Sequence, residues 1–104
     1  MMEIELLVIP GCPNTAATAE LIATAVADTG IRATVQHTVV TTRDQARRRR
    51  FVGSPTILLN GSDPFAQPRA SPALACRLYS TAYGPRGVPQ LQALRQAIMR
   101  AATV

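Results

Sequence analysis

A cysteine stands in Pro10-Gly11-Cys12-Pro13-Asn14-Thr15, where an apolar strand ends and a helix begins. A sulfur at a helix N-terminus faces unpaired backbone N–H groups and the positive end of the helix dipole. Both favour the thiolate, which is the reactive form. Such a position lowers a cysteine pKa from about 8.5 to roughly 3.5–7.5. Pro13 supplies no N–H, so the nearest donors are Asn14 and Thr15, with the Thr15 hydroxyl as a further one. Thr15 also stands where a Cys-x-x-Cys motif would place its second cysteine. The site therefore reads as a single thiol, with Cys12 as nucleophile and Pro13, Asn14 and Thr15 as its support.

The other residues with chemistry to offer are scattered. Cys76 falls on a strand predicted over Ala75–Tyr79, roughly 10 Å back from the edge where Cys12 sits. A disulfide needs Cα atoms within about 7 Å, so Cys76 reads as a packed strand cysteine and not as a partner of Cys12. Arg47 to Arg50 circle a short helix and read as a solvated face, with one or two placed to hold a carboxylate. His37 lies near a strand end and reads as structural. One cysteine and one distant histidine make no zinc pattern, and no metal site is assigned. Tyr79 and Tyr83 are candidates to roof the cleft, and Asp63 reads as a turn former with no basic partner.

Composition limits the alternatives. The chain has 104 residues, 47% of them hydrophobic, which suits one domain spanning 1–104. No apolar run reaches the about 18 residues of a membrane span. Met1-Met2-Glu3-Ile4-Glu5 lacks the basic start of a signal peptide, so a cytoplasmic location is expected, where both cysteines would stay reduced. The net charge of +5 comes with eleven arginines and no lysine, and four of the arginines form one run. With only four aromatic residues the chain lacks stacking platforms, so no nucleic-acid partner is expected. Arginine and alanine without lysine points to a GC-rich genome.

The elements that must position Cys12 follow from periodicity. Ile4–Ile9 is a near-continuous apolar run, read as a strand buried on both faces. Pro13 is read as the opening of a helix through about Asp28, with Ala17, Leu21, Ile22, Ala25 and Val26 as its stripe and Gly30 as its stop. Ile31–Val40 alternates as a half-buried edge strand. Thr42 and Gln45 have capping-box spacing for a short helix over Asp44–Arg50. Thr56–Leu59 is a third strand, closed by the Asn60-Gly61 turn. Ser62–Pro72 and Gly84–Gly87 read as loops. Pro89 opens a last helix with Leu91, Leu94, Ile98 and Ala101 on one face. The first two strands make a parallel pair with a right-handed crossover, and the third and fourth make a hairpin.

This order, with Cys12-Pro13 after the first strand and Ser54-Pro55 before the third, resembles the thioredoxin-like superfamily. It is most similar to small bacterial thioredoxin/glutaredoxin-like proteins with a Gly-Cys-Pro-Asn start, a Gly-Ser-Pro-Thr segment and an Asp-Pro-Phe loop. Here these are Gly11–Asn14, Gly53–Thr56 and Asp63–Phe65. The resemblance implies an α/β thioredoxin-like fold, a central mixed four-stranded sheet (β-α-β-α-β-β-α) flanked by helices. It implies a cis Pro55 facing Cys12, with Ser54, Pro55 and Thr56 orienting a substrate whose backbone pairs with Ser54. Thr15 departs from the dithiol members.

The expected activity is monothiol thiol–disulfide exchange by Cys12 on a protein or low-molecular-weight disulfide. No cofactor is expected, apart from a low-molecular-weight thiol as co-substrate. The chain is expected to be a monomer or weak homodimer that binds no membrane. The alternatives are a redox-inactive binding module and thiolate binding of mercury or copper.

Overall fold

The computed structural model describes residues 1–103. Its N-terminal apolar run forms β1 (Met2–Val8), whose successive side chains go to opposite faces. Ile4, Leu6 and Val8 enter one core, and Leu7 enters another with Val40, Ala46 and Phe51. The backbone of such a strand needs partners on both edges. β2 (Ala33–Val39) lies parallel on one side, with Leu6 beside His37. β3 (Thr56–Leu59) lies antiparallel on the other, with Leu6 opposite Ile57. The sheet order is therefore β2-β1-β3, a mixed sheet with helices on both faces.

α1 (Thr15–Thr29) and α3 (Leu91–Ala102) cover one face. Ile22 and Ala25 from α1, and Leu94, Ala97 and Ile98 from α3, close on the β1 and β3 side chains. The buried position in the first turn of α1 is Thr18, where Ala17 was expected. Thr18 tolerates burial because its hydroxyl donates to the Asn14 carbonyl at 2.7 Å. α1 begins at Thr15, so Pro13 lies in the turn before it and Asn14 is the N-cap. Gly30 ends α1 in the left-handed conformation, its N–H donating to the Val26 carbonyl. α3 likewise starts two residues after Pro89. Among the described residues no helix is long and apolar enough to cross a membrane.

The second face is thinner. α2 (Arg43–Arg48) starts with a full capping box between Thr42 and Gln45 and buries Ala46. β2 is an edge strand, and Val35 and Val39, on the face they share with Ile4 and Val8, are exposed where a half-buried strand was expected. His37 is exposed as well.

The mixed sheet has three strands where the pattern predicts four. Ala75–Tyr79 does not pair along β3. Cys76 instead forms a single parallel bridge with Ser54, and β4 (Tyr79–Thr81) pairs with β5 (Gly84–Arg86), a segment read from sequence as loop. The reason is Arg77, a buried guanidinium in the middle of the predicted strand. It pairs with Asp63 at 2.7 Å and donates to the Thr56 hydroxyl at 3.3 Å and the Phe65 carbonyl at 2.7 Å. Its Cζ also lies 4.5 Å over the Tyr79 ring, whose hydroxyl donates to the Pro55 carbonyl. Phe65 meets the same ring edge-on at 5.5 Å. A buried charge is tolerable only when its donors are met, and Asp63-Pro64-Phe65 meets them. Asp63 thus has the basic partner that its place in the sequence did not reveal. Gly53 allows the approach: a Cβ there would lie 2.8 Å from the Arg77 Cβ.

Removing the acid from this pair should be costly. Asp63→Asn leaves the guanidinium uncompensated and is expected to lower the unfolding free energy by about 3–5 kcal/mol. Urea denaturation measures it, and a loss below about 1 kcal/mol would class the pair with solvated surface bridges.

Candidate functional site

The end of β1 and the start of α1 hold Cys12 through a compact turn. Gly11 adopts φ +70°, which favours glycine. The Cys12 N–H donates to the Ile9 carbonyl at 3.3 Å, and the Thr15 N–H to the Cys12 carbonyl at 3.4 Å. Cys12 is partly buried, packed against the core under α1 and α3.

Opposing effects act on the sulfur. Partial burial pushes the thiol pKa up. The nearby Ser54 hydroxyl, the Asn14 N–H, and the Thr15 hydroxyl and N–H favour the thiolate and pull it down. The donors win, so the pKa lies below the ordinary thiol value. Pro13 occupies the turn and contributes no donor.

Ser54 joins the two halves of the site. Its Oγ accepts from the Ile9 N–H at 3.0 Å, which leaves its proton for the Cys12 sulfur. The Ser54–Pro55 peptide bond is cis. The Thr56 hydroxyl donates to the Gly53 carbonyl at 2.6 Å while accepting from Arg77. Ser54, Pro55 and Thr56 are all buried.

This burial changes the part these three residues take. The Ser54 backbone was expected to pair with an extended substrate. Instead its N–H donates to the Ala75 carbonyl at 2.8 Å, and its carbonyl accepts from the Arg77 N–H at 2.9 Å. The chain itself occupies the sheet edge. Cys76, expected as a packed strand residue well back from the edge, is exposed and lies directly beside Ser54.

The remaining candidates separate. Tyr79 is buried under Pro55, and its pKa is pushed up by burial, so it acts as structure and not as a roof. Tyr83 is exposed beside an open groove of about 640 Å³ that runs along Asn14 and includes Arg86, Val88 and Leu91. Gly87 closes against Asn14, since a Cβ there would lie 2.4 Å from the Asn14 Nδ2. Arg47 pairs with Asp44 and Arg49 with Glu5, so two of the four arginines are spent on their own chain. Among the described residues no three His, Cys, Asp or Glu side chains gather as a metal-binding group.

Arg77 is the residue that sequence reasoning missed. Its signal was parity: on an alternating strand it shares a face with Tyr79, so burial of the tyrosine implied burial of the arginine.

Ser54→Ala removes the hydroxyl proton from the sulfur. It is expected to raise the Cys12 pKa and slow Cys12 alkylation at neutral pH, read from the pH dependence of iodoacetamide labelling with Cys76 changed to serine. An unchanged profile would mean that the hydroxyl does not act on the sulfur.

Residues 2–65, more than half of the chain, match a family model described as a thioredoxin domain. No curated protein matches the chain. The matched span runs from β1 through the Cys12 turn, α1, the cis Ser54–Pro55 bond and β3 to Phe65, and with it the chain belongs to the thioredoxin-domain family.

Proposed function

We propose that Cys12 carries out thiol–disulfide exchange as a single attacking thiol. The observation that carries this reading is the set of donors from Ser54, Asn14 and Thr15 on one partly exposed sulfur. The Cys12 thiolate attacks one sulfur of a disulfide and forms a mixed disulfide, and the other sulfur leaves as a thiolate that takes a proton from water. A second thiol then attacks the mixed disulfide and restores Cys12. The protein ends unchanged, one half of the disulfide is released as a thiol, and the other half leaves joined to the attacking thiol. A further molecule of that thiol frees the second half and leaves as the oxidised disulfide of the reducing thiol.

Ser54, Pro55 and Thr56 act from behind the sulfur: Ser54 holds the thiolate, and Thr56 and Pro55 fix Ser54. With the Ser54 backbone already engaged by Ala75 and Arg77, a small disulfide suits the site better than an extended peptide. The groove beside Asn14 offers such a molecule an apolar wall at Val88 and Leu91 and a cation at Arg86.

The test uses bis-hydroxyethyl disulfide with glutathione as the reducing thiol. Protein with Cys76 changed to serine should reduce the disulfide. Its rate should fall as pH drops through the Cys12 pKa and the thiolate is protonated. Adding Cys12→Ser should return the rate to the uncatalysed one. Equal rates with and without Cys12 would leave the fold as a binding module.

A further inference from the structure

We propose that Cys76 is the resolving thiol for Cys12, so that the protein cycles between a dithiol and an internal Cys12–Cys76 disulfide. The proposal rests on the reactivity of Cys12 argued above and adds the fate of its mixed disulfide. The matched span ends at Phe65, so Cys76 lies outside it.

The argument is one of adjacency through Ser54. On one side, the Ser54 Oγ lies 3.0 Å from the Ile9 nitrogen, and the Ile9 carbonyl receives the Cys12 N–H at 3.3 Å. The same hydroxyl reaches the Cys12 sulfur. On the other side, Ser54 and Cys76 are bridged as parallel neighbours. Paired strands lie about 4.8 Å apart, and paired residues project to the same face of the sheet. Cys76 therefore presents its side chain on the face where Ser54 meets Cys12. Ser54 is thus the common neighbour of the two cysteines, through its hydroxyl on the Cys12 side and through its backbone on the Cys76 side.

Arg77 fixes this register. Its side chain is buried on the face opposite Cys76, held by Asp63, Thr56 and the Phe65 carbonyl. With residue 77 anchored inward, residue 76 must face outward, and Cys76 is exposed. Two backbone hydrogen bonds at Ser54 hold Ala75 and Arg77, so Cys76 lies where the backbone of an extended substrate would otherwise pair. The chain presents its own thiol at that edge.

The chemistry balances with one disulfide substrate. After Cys12 has formed a mixed disulfide, the Cys76 thiol loses its proton to solvent and its sulfur attacks the Cys12 sulfur. The Cys12–Cys76 bond forms, the mixed disulfide breaks, and the second half of the substrate leaves as a thiolate that is protonated by water. The substrate has gained two electrons and the protein has lost them. Two molecules of a low-molecular-weight thiol reverse the change and leave as their own disulfide. A tethered thiol at an effective concentration on the order of millimolar outcompetes a dilute free one.

The experiment treats fully reduced protein with a slight excess of glutathione disulfide and follows intact mass, then non-reduced peptides. In the unaltered chain the glutathione adduct should give way to a species two hydrogens lighter than the reduced protein, with the Cys12 and Cys76 peptides joined. Its rate of appearance from the adduct should not depend on protein concentration. In Cys76→Ser the adduct should form on Cys12 and persist. If the unaltered chain keeps its adduct as long as Cys76→Ser does, or joins only as disulfide-linked dimers, the resolving role is overturned while Cys12 reactivity stands. If Cys76→Ser takes no adduct on Cys12, the exchange reading falls, and this proposal falls with it.

Discussion

The site depends on the need of one buried guanidinium to be satisfied. Arg77 is sealed from water, yet it carries a charge and five N–H donors. An uncompensated charge there would not be tolerated, so the chain brings acceptors to it. Asp63 supplies the countercharge, Thr56 and the Phe65 carbonyl take further donors, and the Tyr79 ring lies against the cation. These groups come from three different stretches: the segment after the cis bond, the Asp-Pro-Phe loop and the last hairpin. Meeting one charge therefore fixes three segments against each other. Gly53 is required at the point of closest approach, where φ is +140° and no Cβ would fit beside Arg77.

The influence of that network reaches the sulfur in two steps. Arg77 and Thr56 hold the Gly53–Thr56 segment, and that segment presents the Ser54 hydroxyl to Cys12. The hydroxyl is already committed as an acceptor to the Ile9 N–H, which sets the direction of its proton. The thiolate is thus favoured by oriented donors and not by a neighbouring cation: Ser54, Asn14 and Thr15 supply all the stabilising contacts, against a burial effect of opposite sign. Because Arg77 also pins Ala75–Arg77 beside Ser54, the same anchor that shapes the first thiol sets the outward face of the second.

Much of this architecture is legible in the residues. The apolar run of β1 announces a central strand, Gly30 announces the end of α1, and the Thr42–Gln45 spacing announces the cap of α2. These are local signals, carried by periodicity or by residues three or four apart. The parts that escape a linear reading depend on distance in the chain. Arg77 and Asp63 are fourteen residues apart, and nothing local distinguishes a paired arginine from a solvated one. Ala75–Tyr79 has strand-like alternation, and its burial does alternate, with Arg77 and Tyr79 in and Cys76 and Leu78 out. The pattern was right and the pairing partner was not, because alternation says which side chains share a face and not which strand lies alongside. The exposure of Val35 and Val39 has the same origin: how far the helices over the Ile4 and Val8 face reach out to the edge strand β2 is not encoded in the β2 sequence.

The central claim is that the fold holds Cys12 as a thiolate more readily than an unfolded chain does. The most direct measurement is ultraviolet titration of the thiolate in Cys76→Ser, once in buffer and once fully unfolded in urea. The account predicts a lower midpoint in the folded protein, with the reduced protein gaining stability as pH rises from the folded midpoint to the unfolded one, because the unfolded chain binds more protons in that window. Equal midpoints, or a higher one in the folded protein, would contradict it.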